Sequence, residues 1–208
     1  MADMLGRWRR TLTVLLVLVG FGATTAQAQG SAEGAEAFLA DIGDRTIAVL
    51  ATPDLSAEDL RSELEQIFVD TFDTRTIGRF VLGRYWNDAN DAQREEYLDL
   101  FQALVVDTYA RRFRGYQGER FNLVGTRQIN DTDYLVTTQI FRPNGGPAVN
   151  VDWRVRASGD GYAVIDVIVE RVNMTITYRN EFGAIIQRSG GNIEGLLDAL
   201  RNRETDAG

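Results

Sequence analysis

Apolar and polar residues alternate most regularly between residues 149 and 156. Every second residue from Val149 to Val155 is apolar, and the residues between them are polar. Successive side chains of a strand point to opposite faces, so this pattern predicts a strand with one apolar face. Residues 158–161 read Ser-Gly-Asp-Gly and suit a tight turn. The return strand is expected to carry a second apolar set: Ala163, Ile165, Val167 and Val169.

The surrounding pattern predicts an antiparallel meander between two groups of helices. Strand patterns cover 120–127, 133–142, 147–156 and 161–170, and the turn residues Pro-Asn-Gly-Gly stand at 143–146. Helical spacing of apolar residues predicts helices over 35–50, from 56, over 73–82, over 90–113, over 173–188 and from 192. The polar stretch 87–90 is expected to be a loop. Helices followed by a sheet and then helices predict an α+β fold, with helices covering one face of the sheet.

The N-terminus has the pattern of an export signal. The residues Arg7, Arg9 and Arg10 precede a short apolar run over 12–21 and the small residues Ala26 and Ala28. We therefore expect a signal peptide over 1–28, cleaved after Ala28, although an uncleaved anchor is the alternative. The apolar run is shorter than the about 20 residues that span a bilayer. An exported protein of a bacterium with two membranes would lie in the periplasm.

The remainder, 29–208, is expected to form a single domain. It would comprise a helical part over 35–114, a sheet over 119–171 and C-terminal helices over 173–203. About 180 residues are enough to bury one core. We expect the domain to be monomeric.

Composition narrows the classes of function. The chain has 22 basic and 30 acidic residues, all the basic ones being Arg, and a net charge of −8. This acidity argues against nucleic acid as a partner, because phosphates need a basic surface. Histidine and cysteine are both absent. The Ser-His-Asp and Cys-His catalytic mechanisms and the usual zinc ligands are therefore excluded. We expect no catalytic residue, no metal and no cofactor.

Several segments together resemble the MlaC/toluene-tolerance family of periplasmic phospholipid-binding proteins. They are IGRFVLGRYW at 77–86, DAQREEY at 91–97, VDWRV at 151–155, DVIVE at 166–170 and VNM at 172–174. The resemblance covers most of the chain after the export signal, in the order of the family. It implies an NTF2-like curved antiparallel sheet of about four strands, packed with helices around an apolar pocket for acyl chains.

The resemblance also implies a function and partners. Family members are not enzymes; they carry glycerophospholipid as cargo. They shuttle it between an outer-membrane lipoprotein–porin complex and an inner-membrane MCE-type ABC transporter complex, which maintains outer-membrane lipid asymmetry.

The expected lipid-binding residues come from two strands and the neighbouring helices. They are Phe80, Leu104, Tyr109, Val151, Trp153, Val155, Ile165, Val167, Val169, Met174, Tyr178 and Phe182. An ordinary protein core would show the same pattern, since periodicity indicates a buried face but not a cavity behind it. The pocket is therefore implied by the resemblance alone.

Five arginines are candidates for contact with a lipid headgroup or a partner: Arg79, Arg84, Arg111, Arg112 and Arg114. Guanidinium groups bind phosphates and carboxylates with two parallel hydrogen bonds. The alternative for the group at 111–114 is a cationic helix C-terminus, which complements the helix dipole.

Two other functions remain open at this point. The cargo could be another hydrophobe, such as an isoprenoid or hopanoid. An NTF2-like isomerase or dehydratase would instead use Asp152 or Asp166 as a base and Tyr109 as an oxyanion donor. Both aspartates are predicted on the strand face opposite the apolar set.

Overall fold

The computed structural model describes residues 30–159 and 161–205, which form seven helices and five strands. The helices are α1 (Ala32–Leu50), α2 (Ala57–Thr71), α3 (Thr74–Leu82), α4 (Tyr85–Asp88), α5 (Asp91–Phe113), α6 (Met174–Arg188) and α7 (Glu194–Thr205). The strands are β1 (Arg120–Gln128), β2 (Asp133–Phe141), β3 (Val149–Ser158), β4 (Gly161–Val169) and β5 (Val172–Asn173). The predicted signal peptide and Asp160 of the predicted turn lie outside the described residues.

Side-chain caps explain where several helices begin. The long helix α5 starts at a capping box, in which Asn90 Oδ1 accepts from Gln93 N at 2.9 Å and Gln93 Oε1 accepts from Asn90 N at 3.1 Å. Helix α6 starts at Asn173, whose Oδ1 accepts from Ile176 N at 2.8 Å. The prediction of a loop over 87–90 is partly wrong. Residues Tyr85–Asp88 form one helical turn, which buries the aromatic rings of Tyr85 and Trp86.

The strands form one antiparallel sheet in the order β1-β2-β3-β4-β5. About four strands were predicted. The fifth, β5, contributes only two residues beside β4, which is too short to show a periodic pattern. The α+β fold class is confirmed.

The predicted faces of β4 need a correction. Asp166 pairs with Arg154 but Val164 pairs with Val155, so Ile165 is an extra residue in a β-bulge. Before the bulge, the face shared with Val155 therefore carries Val164, which is fully buried, and not Ala163. The prediction of strict alternation over the whole of β4 was wrong, because one inserted residue reverses the face of every residue beyond it.

Two apolar clusters position the site. Helices α1 and α2 pack on the sheet face that carries Tyr134, Val136 and Val155. Helices α3, α5, α6 and α7 form a second cluster around Phe101 and Phe182, and α3 and α6 also contact β4. Among the described residues, no helix has the length and apolar character needed to cross a membrane.

Candidate functional site

A cavity of about 450 Å³ lies between the sheet and the helices. Helices α1, α2, α3, α5 and α6 contribute to its wall, together with strands β2, β3 and β4. Most of the lining side chains are aliphatic or aromatic. The polar exceptions are Thr46, Arg112, Arg142, Asp166 and Thr175. Its volume lies within the range of about 300–1,000 Å³ that is typical of small-molecule sites.

A second cavity of about 280 Å³ adjoins the first. The two cavities share eight lining residues: Ile42, Thr46, Arg112, Phe113, Ile140, Arg142, Val149 and Trp153. Because the same side chains face both spaces, the two form neighbouring compartments of one apolar interior.

Trp153 is held in place where the two compartments meet. Its Nε1 donates to Thr138 Oγ1 at 2.9 Å, and that hydroxyl donates to the carbonyl of Val151 at 3.1 Å. The ring of Phe72 lies edge-on, with ring centres 6.5 Å apart. The indole N–H is therefore satisfied within the protein, and the ring is presented to the cavities as apolar surface.

The structure brings seven of the twelve predicted lining residues to the larger cavity. They are Tyr109, Val151, Trp153, Val167, Val169, Met174 and Tyr178. They come from α5, β3, β4 and α6, so the cavity lies where the sheet meets these two helices.

The other five predicted lining residues line neither cavity. Val155 and Phe182 are fully buried among protein side chains, and Leu104 packs against the helical cluster. Ile165 is buried at the bulge of β4, outside both linings. Phe80 is 48% exposed on the outer side of α3.

Sequence reasoning did not single out the lining residues of the first two helices. They include Ile42 and Thr46 of α1 and Leu64, Ile67 and Phe68 of α2. The apolar stripes of these helices were recognised, but a stripe that faces a cavity has the same spacing as one that faces protein.

Three arginines of the cavity walls are exposed, and we refer to the part of the walls that they form as the opening. Arg112, near the end of α5, and Arg142, just after β2, are exposed and line both compartments, and Arg120 lines the smaller one. The Arg112 guanidinium carbon lies 5.5 Å from the centre of the Tyr109 ring. None of the three forms an ion pair within the described part of the chain. Their charges therefore remain available to an anion at the opening.

The remaining predicted arginines lie elsewhere. Arg111 and Arg114 are exposed and line neither cavity. Arg79 and Arg84 flank the turn after α3, and Arg84 Nη2 donates to Tyr85 Oη at 2.8 Å. Arg142 was not identified from the sequence, because a single arginine in a turn carries no distinguishing pattern.

Burial or hydrogen bonding determines the environment of three titratable side chains of the larger cavity. Burial raises the pKa values of Tyr109 and Tyr178, so both hydroxyls stay protonated at neutral pH. Asp166 accepts from Val167 N at 2.9 Å, from Thr175 Oγ1 at 2.8 Å and from Asn173 Nδ2. Its carboxylate is thus bonded at the start of α6. Asp166 pairs with Arg154, on the face opposite Trp153 as predicted, and the residue also contributes to the cavity wall.

Asp152 does not contribute to either cavity. It accepts from Thr137 Oγ1 at 2.6 Å, across the neighbouring strand. Among the residues the structure describes, no three acidic side chains come together in a way that could hold a metal ion.

Comparison with known proteins relates this geometry to one family. The family described as MlaC protein matches residues 40–202. The intermembrane phospholipid transport system binding protein MlaC of Haemophilus influenzae is 22% identical over 116 residues. That alignment covers 54% of each protein, so the chain spans about half the length of this curated relative.

A solved structure is similar over a longer stretch. It is the phospholipid-binding protein from Ralstonia solanacearum in complex with a phospholipid, with a TM-score of 0.75 and 26% identity. The match covers 83% of this chain and 98% of that one. Because the family match extends over well more than half of the sequence, this chain belongs to the MlaC family.

Proposed function

We propose that this protein is a periplasmic carrier of glycerophospholipid whose acyl chains occupy the two apolar compartments. The observation that carries the proposal is the apolar interior itself, of about 450 and 280 Å³ in adjoining parts. The similar Ralstonia solanacearum protein was solved with a phospholipid bound, which supports the same class of cargo here.

The energetics explain why such a carrier is needed. Two acyl chains of about 15 methylenes each would expose about 24 kcal/mol of unfavourable surface in water, at about 0.8 kcal/mol per methylene. A carrier that encloses the acyl chains in an apolar cavity removes most of this free-energy barrier. No bond is made or broken, so this role requires no catalytic residue and no cofactor.

We further propose that the carrier exchanges lipid with two membrane complexes. These would be an outer-membrane lipoprotein–porin complex and an inner-membrane MCE-type ABC transporter complex. The same barrier that makes a carrier necessary also keeps the lipid from leaving it unaided. Loading and release therefore require a partner that opens or replaces the cavity. A monomeric carrier exported after cleavage near Ala28 fits this cycle.

The decisive experiment is native mass spectrometry of the protein purified from a bacterial periplasm. We expect the mass of one protein chain with bound phospholipid, and lipid extraction should identify the headgroup. An isoprenoid or hopanoid in the extract would replace phospholipid as the cargo. Protein that carries no lipid and also takes up no labelled phospholipid would contradict the carrier function.

The arginines at the opening give a prediction about the headgroup. The double variant Arg112→Glu/Arg142→Glu should weaken phospholipid uptake about tenfold or more, because each charge-assisted hydrogen bond contributes about 1.5–3 kcal/mol. Uptake of an uncharged diacylglycerol should change little. Titration with fluorescent analogues of both lipids measures the two effects.

The matched control is Arg111→Glu/Arg114→Glu, which changes the charge equally but alters residues that line neither cavity. If both double variants lose phospholipid uptake to the same extent, the effect comes from overall charge and not from contact with the headgroup.

A further inference from the structure

Helices α3 and α6 have one face on the cavity and one face on the surface. Ile77 of α3 and Met174 and Tyr178 of α6 line the larger cavity. On the outer side, Phe80 and Ile176 are each 48% exposed. Val172 of β5, two residues before the first residue of α6, is 52% exposed. Three of the large apolar side chains that are exposed in the described chain therefore belong to this one wall.

Arginines accompany these apolar side chains on an otherwise acidic protein. Arg79 precedes Phe80, Arg171 precedes Val172, and Arg179 lies one turn after Ile176. None of the three forms an ion pair with a carboxylate in the part of the chain that the structure describes. The surface is thus both apolar and locally cationic, which suits a partner that is apolar and anionic.

Arg179 is held in a fixed position. Its Nη1 donates to the carbonyl of Phe80 at 3.1 Å, and its guanidinium carbon lies 5.1 Å from the centre of the Phe80 ring. Arg179 is exposed, and its other N–H groups form no further hydrogen bond among the described residues. A guanidinium that is ordered in advance loses little entropy when it binds a carboxylate.

A glycine within α6 provides room beside these residues. Gly183 is seven residues after Ile176, so it lies on the same side of the helix. A Cβ at this position would meet no atom within 4 Å, so packing inside the protein does not explain the glycine. Glycine in a helix interior costs about 1 kcal/mol relative to alanine. A partner approaching the helix closely would account for it.

We propose that the α3–α6 face, defined by Phe80, Val172, Ile176, Arg79, Arg179 and Gly183, docks a partner protein that presents carboxylates around an apolar side chain. The proposal rests on the proposed carrier function and identifies where that carrier meets one of its complexes. An anionic membrane is the less suitable occupant, because the fixed position of Arg179 favours a defined carboxylate over a fluid lipid surface.

The position of this face links docking to the cargo. The same two helices contribute Ile77, Met174 and Tyr178 to the cavity wall, so a partner seated outside lies one helix diameter from the acyl chains. A small displacement of either helix by the partner would change the shape of the cavity. Docking at this face is therefore suited to loading or releasing the lipid.

Two substitutions test the proposal without touching the cavity. Ile176→Glu places a carboxylate in the cationic face at the third residue of α6, a position where Glu favours helix formation beside an Asn cap. Gly183→Leu fills the open space and improves helix propensity. Val69→Glu is the matched control, since Val69 is 51% exposed on α2, outside the α3–α6 face.

Each protein is loaded with fluorescent phospholipid and titrated with three kinds of nanodisc. One carries the MCE-type ABC transporter complex, one the lipoprotein–porin complex, and one only phosphatidylglycerol. We expect all variants to load lipid normally. Ile176→Glu and Gly183→Leu should bind one of the complexes about tenfold or more weakly, and Val69→Glu should stay within about twofold of the original protein.

The outcomes separate this proposal from the carrier function. Both variants binding both complexes normally, or the original protein binding neither, would overturn the docking surface while lipid loading still supported a carrier. Loss of binding to the protein-free nanodiscs would assign the face to a membrane surface and also overturn the proposal. Failure of the original protein to load lipid would overturn the carrier function itself.

Discussion

Replacing Trp153 with arginine should abolish phospholipid uptake while the domain remains folded. Trp153 lines both compartments, so a guanidinium there would stand against acyl chains in either one. Burying a charge against hydrocarbon without a partner costs several kcal/mol, which corresponds to a loss of about a hundredfold or more in affinity. In the lipid-free protein the new side chain can extend along the cavity to water, so folding is affected much less.

The folded state should lose the contacts that the indole makes with protein. They include the hydrogen bond to Thr138, the edge-on contact with Phe72 and packing against the apolar cluster under α1 and α2. Together they are expected to contribute about 2–3 kcal/mol to the free energy of unfolding. A domain of this size, with about 5–15 kcal/mol of stability, tolerates that loss.

Val155→Arg is the matched control on the same strand face. Val155 lies two residues further along β3, is fully buried and lines neither cavity. The same charge there has no route to water and should cost more than about 4 kcal/mol, so Val155→Arg should have a much lower melting temperature than Trp153→Arg or should fail to fold. Thermal melting measured alongside lipid uptake separates the two variants. If Trp153→Arg unfolds the domain as Val155→Arg does, Trp153 is ordinary core.

The sequence predicts the larger elements of this fold because their signals are local. The alternation along β3 follows from one strand facing the core on one side only, and the Asn90–Gln93 pair marks the start of α5 by itself. The bulge at Ile165 leaves no such signal. It is fixed by how β4 must pair with β3 while Val164 packs under the helices, and tertiary packing of that kind is not visible in one strand.

The cavity could not be predicted from periodicity for a related reason. Met174 and Phe182 have the same helical spacing in α6, yet Met174 faces the cavity and Phe182 faces protein. The two residues differ in what lies opposite them: other side chains pack against Phe182, and a gap is left beside Met174. The expectation of a cavity came from the resemblance to a lipid-binding family. In the structure, the cavity is lined by residues of α1 and α2 as well as by the sheet and the helices that were predicted to line it.

The same limit applies to the charged residues. The three arginines at 111–114 form a conspicuous group in the sequence, but only Arg112 reaches the opening. Arg142 joins it from the far end of β2, 30 residues later in the chain, because the sheet brings that turn beside the end of α5. Proximity between distant segments depends on the fold, so sequence spacing alone does not reveal it.

Loss of the Asp133 carboxylate should destabilise the protein more than any other single change on the polar face of the sheet. The side chain of Asp133 is 0% exposed and binds two arginines from β3. Arg154 donates to Oδ2 from Nε at 3.0 Å and from Nη2 at 2.6 Å, and Arg156 donates to Oδ1 from Nε at 2.7 Å. Asp133→Asn removes the charge that both arginines share and should cost about 3 kcal/mol.

Asp152→Asn is the control for this substitution. Asp152 lies on the same face of the sheet and accepts a hydrogen bond from Thr137, and it forms no ion pair among the described residues. Its substitution should cost about 1 kcal/mol, as expected for one hydrogen bond. Urea denaturation of the three proteins at neutral pH measures the difference. Equal losses for both variants would show that the arginines find other partners when Asp133 is neutral.

The pH dependence of stability provides an independent check on the same carboxylate. Hydrogen bonds from Arg156 and then Arg154 hold the pKa of Asp133 far below its ordinary value, against the opposing effect of burial. A lowered folded-state pKa means that the stabilisation is complete above the unfolded-state pKa of about 3.9 and is lost as the pH falls towards the folded-state value. The advantage of the original protein over Asp133→Asn in free energy of unfolding should therefore be constant from pH 7 to about 5 and shrink below about 4. If the difference in free energy of unfolding stays constant down to pH 2, the arginines do not lower the pKa of Asp133 in the folded protein.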